Sequence, residues 1–190
     1  MPTPWRHLPA ALFAVALGAA APARAADEVT RAVAHYTLPD VTLVNQLGHK
    51  VKLRALFDPA RPLLLQFIFT SCQAICPVMG ATFAGVQTRI GPTDGAVELV
   101  SVSIDPDYDT PARMKAFLDK FHATPTWSFL TGSRRDVVAV QKAFEAYTAN
   151  KMGHAPLTFL WSPAEKAWIR IGGFIAAGEL YDQFRSAAGK

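Results

Sequence analysis

Cysteine is scarce in this chain, which has only 2 Cys among its 190 residues. Two thiols are too few for a disulfide scaffold or a four-thiolate zinc site. Long apolar runs are also missing: none approaches the ~20 residues of a spanning helix, which excludes a polytopic membrane protein. Charged residues make up 18% of the chain, and beyond residue 25 only Arg134 and Arg135 are adjacent Lys or Arg residues. A nucleic-acid partner therefore has no support.

Apolar residues, in contrast, are plentiful. They make up 51% of the chain, which is too much for a disordered protein, and 190 residues suit one ordinary domain. The sequence shows no P-loop, no dinucleotide-binding glycine fingerprint and no Ser-His-Asp signature. The two cysteines are thus the first place to look for chemistry.

Residues 1–25 have the pattern of a cleaved secretory signal peptide. Arg6 gives a positive start, residues 10–21 are apolar or small, and Ala23-Arg24-Ala25 is an A-x-A cleavage signal. The alternative is an uncleaved membrane anchor, but the apolar run is short for that. We expect export to the periplasm as a soluble protein, where an oxidising environment lets two thiols pair. Cleavage lowers the formal net charge from +4 to +2, since Arg6 and Arg24 are removed.

The rest of the chain alternates short apolar runs with helical patterns. A hairpin is predicted at residues 41–53, buried strands at 62–69 and 97–104, a short strand at 127–130 and a second hairpin at 157–171. A helix starting at Pro77 buries Met79, Phe83, Val86 and Ile90, and Thr110-Pro111 caps another that buries Met114, Phe117, Leu118 and Phe121. Ser133 caps a helix that buries Val137, Val140, Phe144 and Tyr147, and the last helix covers residues 177–187.

This order of elements predicts an α/β fold with a central mixed sheet flanked by helices and an N-terminal β-hairpin. With a cysteine pair after the first core strand, the pattern indicates a thioredoxin-like fold. We assign residues 26–37 to an N-terminal extension with a disordered start, and residues 38–188 to the thioredoxin-like domain.

The pair Cys72 and Cys76 forms a C-x3-C motif between a buried strand and a helix. Ligands bind at such junctions in α/β sheets. We expect Cys76, next to Pro77, to lie at the helix N-terminus, where the partial positive charge favours the thiolate over the thiol and makes this sulfur more reactive and a better ligand. A purely structural disulfide is the alternative, but a loop this short contributes only about 2 kcal/mol.

Two soft thiolates suit Cu(I), and copper in this setting needs a third donor such as imidazole. Of the histidines beyond the signal peptide, His35 lies near the disordered start, His49 in a hairpin turn, and His122 at a helix end. His154 directly precedes the strand at residue 157, in a loop that faces the cysteine loop of a thioredoxin-like fold. We therefore choose His154.

Two methionines could add a thioether ligand. Met79 lies on an apolar helical stripe and is expected in the core, whereas Met152, two residues before His154, stays open as a ligand. The acidic stretch at residues 105–109 imitates the start of a calcium loop, but Thr110 and Ala116 stand where glycine and glutamate are required. We expect this stretch to shape the loop and to favour the N-terminus of the next helix.

Taken together, these residues resemble the Sco (SenC) family of copper-binding cytochrome oxidase assembly proteins. The resemblance spans roughly residues 38–184. It depends on four segments: Phe69-Thr70-Ser71-Cys72-Gln73-Ala74-Ile75-Cys76-Pro77; Val102-Ser103-Ile104-Asp105-Pro106 through Asp109-Thr110-Pro111; Phe129-Leu130-Thr131-Gly132-Ser133; and His154.

The resemblance implies that a monomer binds one copper, as Cu(I) or Cu(II), through Cys72, Cys76 and His154. It also implies a partner, either the dinuclear copper-site domain of cytochrome c oxidase subunit II or another periplasmic cuproprotein. One departure concerns the residue before the histidine, often Asp in the family and here Gly153. The absence of Asp at this position removes a carboxylate that would orient the imidazole.

Two other functions stay open on the sequence. The first is a thiol-disulfide oxidoreductase that uses Cys72 and Cys76 as a redox pair on periplasmic cysteines, including those of the oxidase copper site. Pro156, just ahead of a strand, resembles in position the cis-proline with which thioredoxins hold substrates. The second is a peroxide-reducing or redox-sensing thiol protein. Enzymatic activity is thus undecided between a metallochaperone and a thiol reductase.

Overall fold

The computed structural model describes Met1, residues 29–91 and residues 98–189. The signal peptide predicted at residues 1–25 lies outside the described residues apart from Met1, as do residues 26–28 and Val97, predicted to begin a strand. The strands are β1 (Thr30–Ala34), β2 (Thr42–Asn45), β3 (Lys50–Lys52), β4 (Leu63–Ile68), β5 (Leu99–Ser103), β6 (Trp127–Thr131), β7 (Leu157–Ser162) and β8 (Ala167–Gly172). The helices are α1 (Ile75–Ile90), α2 (Pro111–Lys120), α3 (Arg134–Ala143) and α4 (Ala177–Ala187), with short 3-10 helices at Leu53–Leu56 and Lys151–Gly153.

Within the described residues, eight strands form one mixed sheet in the order β1-β8-β7-β4-β5-β6-β2-β3. The pairs β4–β5 and β5–β6 are parallel, and the other pairs are antiparallel. Helices cover both faces, so the predicted α/β fold with a central mixed sheet is confirmed. Both predicted hairpins are present, β2–β3 at one end of the sheet and β7–β8 near the other.

Strand β4 is buried along its whole length, as its continuous apolar run predicts. Because side chains alternate along a strand, Leu64 and Ile68 enter the core on one face, and Leu63, Leu65 and Phe67 enter the core on the other. Helices α1, α2 and α4 pack on the first face, and α3 packs on the second. This central strand therefore fixes the position of the cysteine loop that follows it.

The predicted helix caps are confirmed by their hydrogen bonds. Thr110 Oγ1 accepts from the backbone N–H of Arg113 (3.3 Å), and Ser133 Oγ accepts from the backbone N–H of Asp136 (3.1 Å). Such bonds satisfy amides that have no partner inside the helix. Helix α1 is different, because it begins at Ile75, two residues before the predicted start at Pro77. Pro77 is still in the first turn, where its missing N–H costs no helical bond.

The predicted disordered start is wrong, because the chain forms strand β1 there. This strand pairs antiparallel with β8, from Thr30 opposite Gly172 to Ala34 opposite Trp168, and His35 follows it. Most of its side chains are exposed, so no apolar pattern marks it in the sequence. The pairing with β8 is what makes this segment a strand.

Tyr147 was predicted to be buried by α3 and is instead 47% exposed. The helix ends at Ala143, and Glu145 has a φ of 53°, so the helical spacing stops before Tyr147. None of the helices in the described part of the chain is long and apolar enough to cross a membrane.

Candidate metal centre

Both cysteines lie where strand β4 passes into helix α1. Cys72 is in the connecting turn and is 8% exposed, whereas Cys76 is the second residue of α1 and is fully buried. The backbone N–H of Cys76 donates to Cys72 Sγ at 3.4 Å, and both cysteines are free thiols. The predicted place of the pair, at the carboxyl end of a core strand, is confirmed.

The two thiols differ in acidity, and the prediction that Cys76 is favoured as a thiolate is wrong. Burial acts to raise the pKa of Cys72, but the amides of Cys76, Ala74 and Ile75 point at its sulfur and leave the pKa below the ordinary value. Burial raises the pKa of Cys76 strongly, and negative charge on Cys72 and Asp109 adds to the increase. The helix N-terminus thus stabilises the thiolate of Cys72, which precedes the helix, and Cys76 inside it stays a thiol.

His154 is brought to this pair by the sheet. Strands β4 and β7 are antiparallel neighbours with Gln66 opposite Thr158, so the end of β4 lies beside the start of β7. His154 precedes β7, and its Nε2 is 3.7 Å from Cys76 Sγ. The prediction that the His154 loop faces the cysteine loop is confirmed. His35, His49 and His122 are all exposed.

The tautomer of His154 follows from its second ring nitrogen. Nδ1 is 2.7 Å from the carbonyl oxygen of Lys151, and a carbonyl can only accept, so Nδ1 carries the hydrogen. Nε2 then keeps its lone pair and directs it toward Cys76. Burial lowers the pKa of His154, although the bond to the Lys151 carbonyl opposes the change. A neutral imidazole with a free Nε2 is the form that binds metals.

Phe69 forms the apolar side of the site. It is the residue after β4, it is almost fully buried, and its ring meets the His154 ring edge-on at 5.3 Å between centroids. The peptide bond before Pro156 is trans, as are the other peptide bonds of the described residues, so the likeness of Pro156 to a cis-proline does not extend to its geometry.

A buried carboxylate that the sequence did not single out supports the cysteine loop. Asp109 is 1% exposed and accepts from the backbone N–H of Thr70 (3.2 Å), the Thr70 hydroxyl and the Ser103 hydroxyl (2.5 Å). Burial raises the pKa of Asp109, while the bonds from Ser103 and Thr70 oppose this. Thr70 is two residues before Cys72, so Asp109 ties this loop to the end of β5. Within the sequence, only its place in the Asp-Thr-Pro segment pointed to it.

The donor set fits a soft metal, although the described conformation is not closed around one. Two sulfur atoms and an imidazole nitrogen with a free lone pair suit Cu(I). In the described part of the chain, no group of three or more His, Cys, Asp or Glu side chains is arranged to hold a metal ion. Joint ligation by Cys72, Cys76 and His154 therefore stays a prediction. Met79 is buried in the core as predicted, and Met152 is 70% exposed on the turn before His154.

Comparison with known proteins places the chain in a family. The SCO1/SenC family model matches residues 30–187. The SCO1 protein homolog of Bacillus subtilis is 31% identical over 122 residues, which is 63% of this chain and 62% of that protein. The chain thus spans less than two thirds of that relative's length.

Solved structures agree with this assignment. BsSco, described as a member of the Sco family of cytochrome c oxidase assembly proteins with a disulfide switch, has a TM-score of 0.66 and 27% identity, with 82% of this chain and 95% of that chain covered. Bradyrhizobium japonicum ScoI with copper bound has a TM-score of 0.60 and 24% identity, covering 77% and 96%, and supports the fold alone. The central mixed sheet flanked by helices is the thioredoxin-like architecture of these proteins. The chain belongs to the SCO1/SenC family.

The different environments of the thiols give a first prediction. In the metal-free reduced protein, iodoacetamide should alkylate Cys72 first, because Cys72 is more exposed and its pKa is lowered. The lowered pKa puts the midpoint of the pH–rate profile below that of an ordinary cysteine, since more thiolate is present at a given pH. Peptide mass spectrometry after partial labelling measures both sites. Equal or faster labelling of Cys76 would contradict the described geometry.

Proposed function

We propose that the protein is a periplasmic copper chaperone that binds one copper through Cys72, Cys76 and His154. The observation that carries the proposal is the 3.7 Å approach of His154 Nε2 to Cys76 Sγ, made by residues far apart in the chain. In this proposal copper is the cargo of the protein, and the three side chains hold it until it is passed on.

The chemistry of the site supports copper over harder cations. Calcium and magnesium bind to oxygen donors, whereas the proposed donors are two sulfurs and one nitrogen. The Lys151 carbonyl holds the imidazole with Nε2 available, and Phe69 keeps water from one side.

Exposure suggests the order in which the ligands release the metal. Cys76 is fully buried and Cys72 is the more accessible sulfur, so an acceptor's ligand meets the Cys72 side first. Exchange would begin when an acceptor thiolate replaces Cys72, and it would end with release from Cys76 and His154. A sequential exchange of this kind avoids a free copper ion.

The proposed partner is the dinuclear copper-site domain of cytochrome c oxidase subunit II, or another periplasmic cuproprotein, met by a monomer of this protein. One relative supports this, since BsSco is described as belonging to a family of cytochrome c oxidase assembly proteins. Copper-accepting sites with thiolate ligands suit transfer by thiolate exchange.

A second candidate function is that of a thiol-disulfide oxidoreductase. It is favoured by the arrangement of the cysteines, in which the more accessible Cys72 lies next to the fully buried Cys76. Cys72 Sγ would attack a substrate disulfide, form a mixed disulfide and release one substrate thiolate. Cys76 Sγ, after giving its proton to His154 Nε2, would then attack the Cys72 sulfur and release the second substrate thiol. The substrate gains two electrons and this protein ends with a Cys72–Cys76 disulfide. Each further turnover needs an external thiol reductant.

Copper titration tests the proposed ligand set. Reduced protein titrated anaerobically with Cu(I) against a chromogenic chelator should bind one copper per chain. Cys72→Ser, Cys76→Ser and His154→Ala should each lower the affinity by more than about 100-fold, because loss of an outer-shell partner alone costs roughly 10–100-fold.

His122→Ala is the matched control, because His122 is an exposed histidine at a helix end, and it should bind as the unmodified protein does. Unchanged affinity in His154→Ala would show that the ligand set is wrong. If the metal-free protein reduces a disulfide substrate, and His154→Ala keeps this activity at a reduced rate, the oxidoreductase is the better account.

Export to the periplasm is a further part of the proposal, and it depends on residues 1–25. Signal peptidase should cut after Ala25, so intact-protein mass spectrometry of a periplasmic extract should give the mass of a chain that starts at Ala26. Recovery of the full-length chain in the membrane fraction would instead identify residues 1–25 as an anchor.

A further inference from the structure

We infer that the ion pair between Lys151 and Asp105 is a clamp that positions the His154 imidazole. This inference rests on the proposed function only in treating His154 as a metal ligand. The clamp joins the loop after β5 to the 3-10 turn before β7. It gives this chain an orienting device where Gly153 offers no side chain.

The first part of the clamp is the ion pair itself. Lys151 Nζ is bonded to Asp105 Oδ2, and the side chains are 41% and 12% exposed, respectively. The same Nζ lies 5.3 Å from the centroid of the Phe69 ring, within the range of a cation–π contact. One ammonium group is thus held by a largely buried carboxylate and by a buried ring.

The second part is the backbone of the turn. The Lys151 carbonyl accepts from His154 Nδ1 at 2.7 Å and lies 3.4 Å from the backbone N–H of His154. Asn150 secures the start of the turn, since its side-chain oxygen accepts from the backbone N–H of Met152 at 3.0 Å. The direction of the Lys151 carbonyl therefore sets the direction of the imidazole, and the Lys151 side chain fixes the residue that carries this carbonyl.

The third part is the fixed position of Asp105. Its backbone N–H donates to Ser103 Oγ at 3.0 Å, and its carbonyl accepts from the backbone N–H groups of Tyr108 and Asp109 at 3.0 and 2.9 Å. Ser103 is the last residue of the buried strand β5. The anchor of the clamp is therefore part of the central sheet.

The Phe69 ring contacts both the clamp and the proposed metal site. The Lys151 ammonium and the His154 ring both contact the Phe69 ring, each at 5.3 Å between the stated centres. Phe69 is also three residues before Cys72 in the cysteine loop. Loss of the ammonium would free the turn to move on this ring, and the imidazole would move with it.

The test compares three variants of the full mature chain. Lys151→Met keeps much of the side-chain length and removes the charge, whereas Lys151→Arg keeps the charge. Lys115→Met is the matched control, because Lys115 makes an exposed ion pair with Asp119 on α2.

The first readout needs no metal. Ring ¹⁵N NMR of His154 in the reduced, metal-free protein should show the Nδ1–H tautomer in the unmodified chain, in Lys151→Arg and in Lys115→Met. Lys151→Met should show a mixture of the two tautomers. The second readout is Cu(I) affinity by chelator competition. Lys151→Met should bind about tenfold more weakly, at the lower end of the effect of outer-shell partners.

Asp105→Asn provides an independent check from the other side of the pair. It should produce the same tautomer mixture, and the double variant with Lys151→Met should be no worse than either single variant, because both remove one interaction. Ring signals and Cu(I) affinity unchanged in Lys151→Met would overturn the clamp. If the unmodified protein takes up no Cu(I), the proposed function fails, and the metal-free ring signals alone decide whether the clamp exists.

Discussion

The approach of His154 to Cys76 is the constraint on which the proposed chemistry depends, and the sheet produces it. Strand β4 carries the cysteine loop at its end, and β7 carries His154 just before its start. Because the two strands are antiparallel neighbours, the end of β4 lies beside the start of β7. Strand β4 is buried on both faces, so its packing in both hydrophobic clusters fixes the position of this end.

The two cysteines at this contact differ in accessibility and in acidity. The amides at the start of α1 face Cys72, so the accessible sulfur is the one favoured as thiolate. Cys76 lies behind it as a buried thiol, beside a neutral imidazole. Both proposed activities would start at an accessible thiolate and continue with a buried partner.

The sequence was sufficient to predict the order of most strands and helices, the place of the cysteine pair and the position of the His154 loop opposite that pair. Continuous apolar runs mark the buried strands, and their order determines which loops meet. Strand β1 could not be predicted in this way, because its side chains are mostly exposed and only its pairing with β8 makes it a strand. The prediction that Cys76 is favoured as a thiolate is wrong because α1 begins at Ile75, two residues before the predicted start, so that Cys76 lies inside the helix. Asp109 and Lys151 act through contacts distant in sequence, which no local pattern reveals.

The most direct test of the account is the coordination of copper in the loaded protein. Copper K-edge X-ray absorption of the Cu(I)-loaded chain should show two sulfur ligands and one imidazole, and the imidazole signal should disappear in His154→Ala while both sulfurs remain. A spectrum with sulfur ligands alone, unchanged in His154→Ala, would contradict the claim that His154 and the cysteine pair form one metal site.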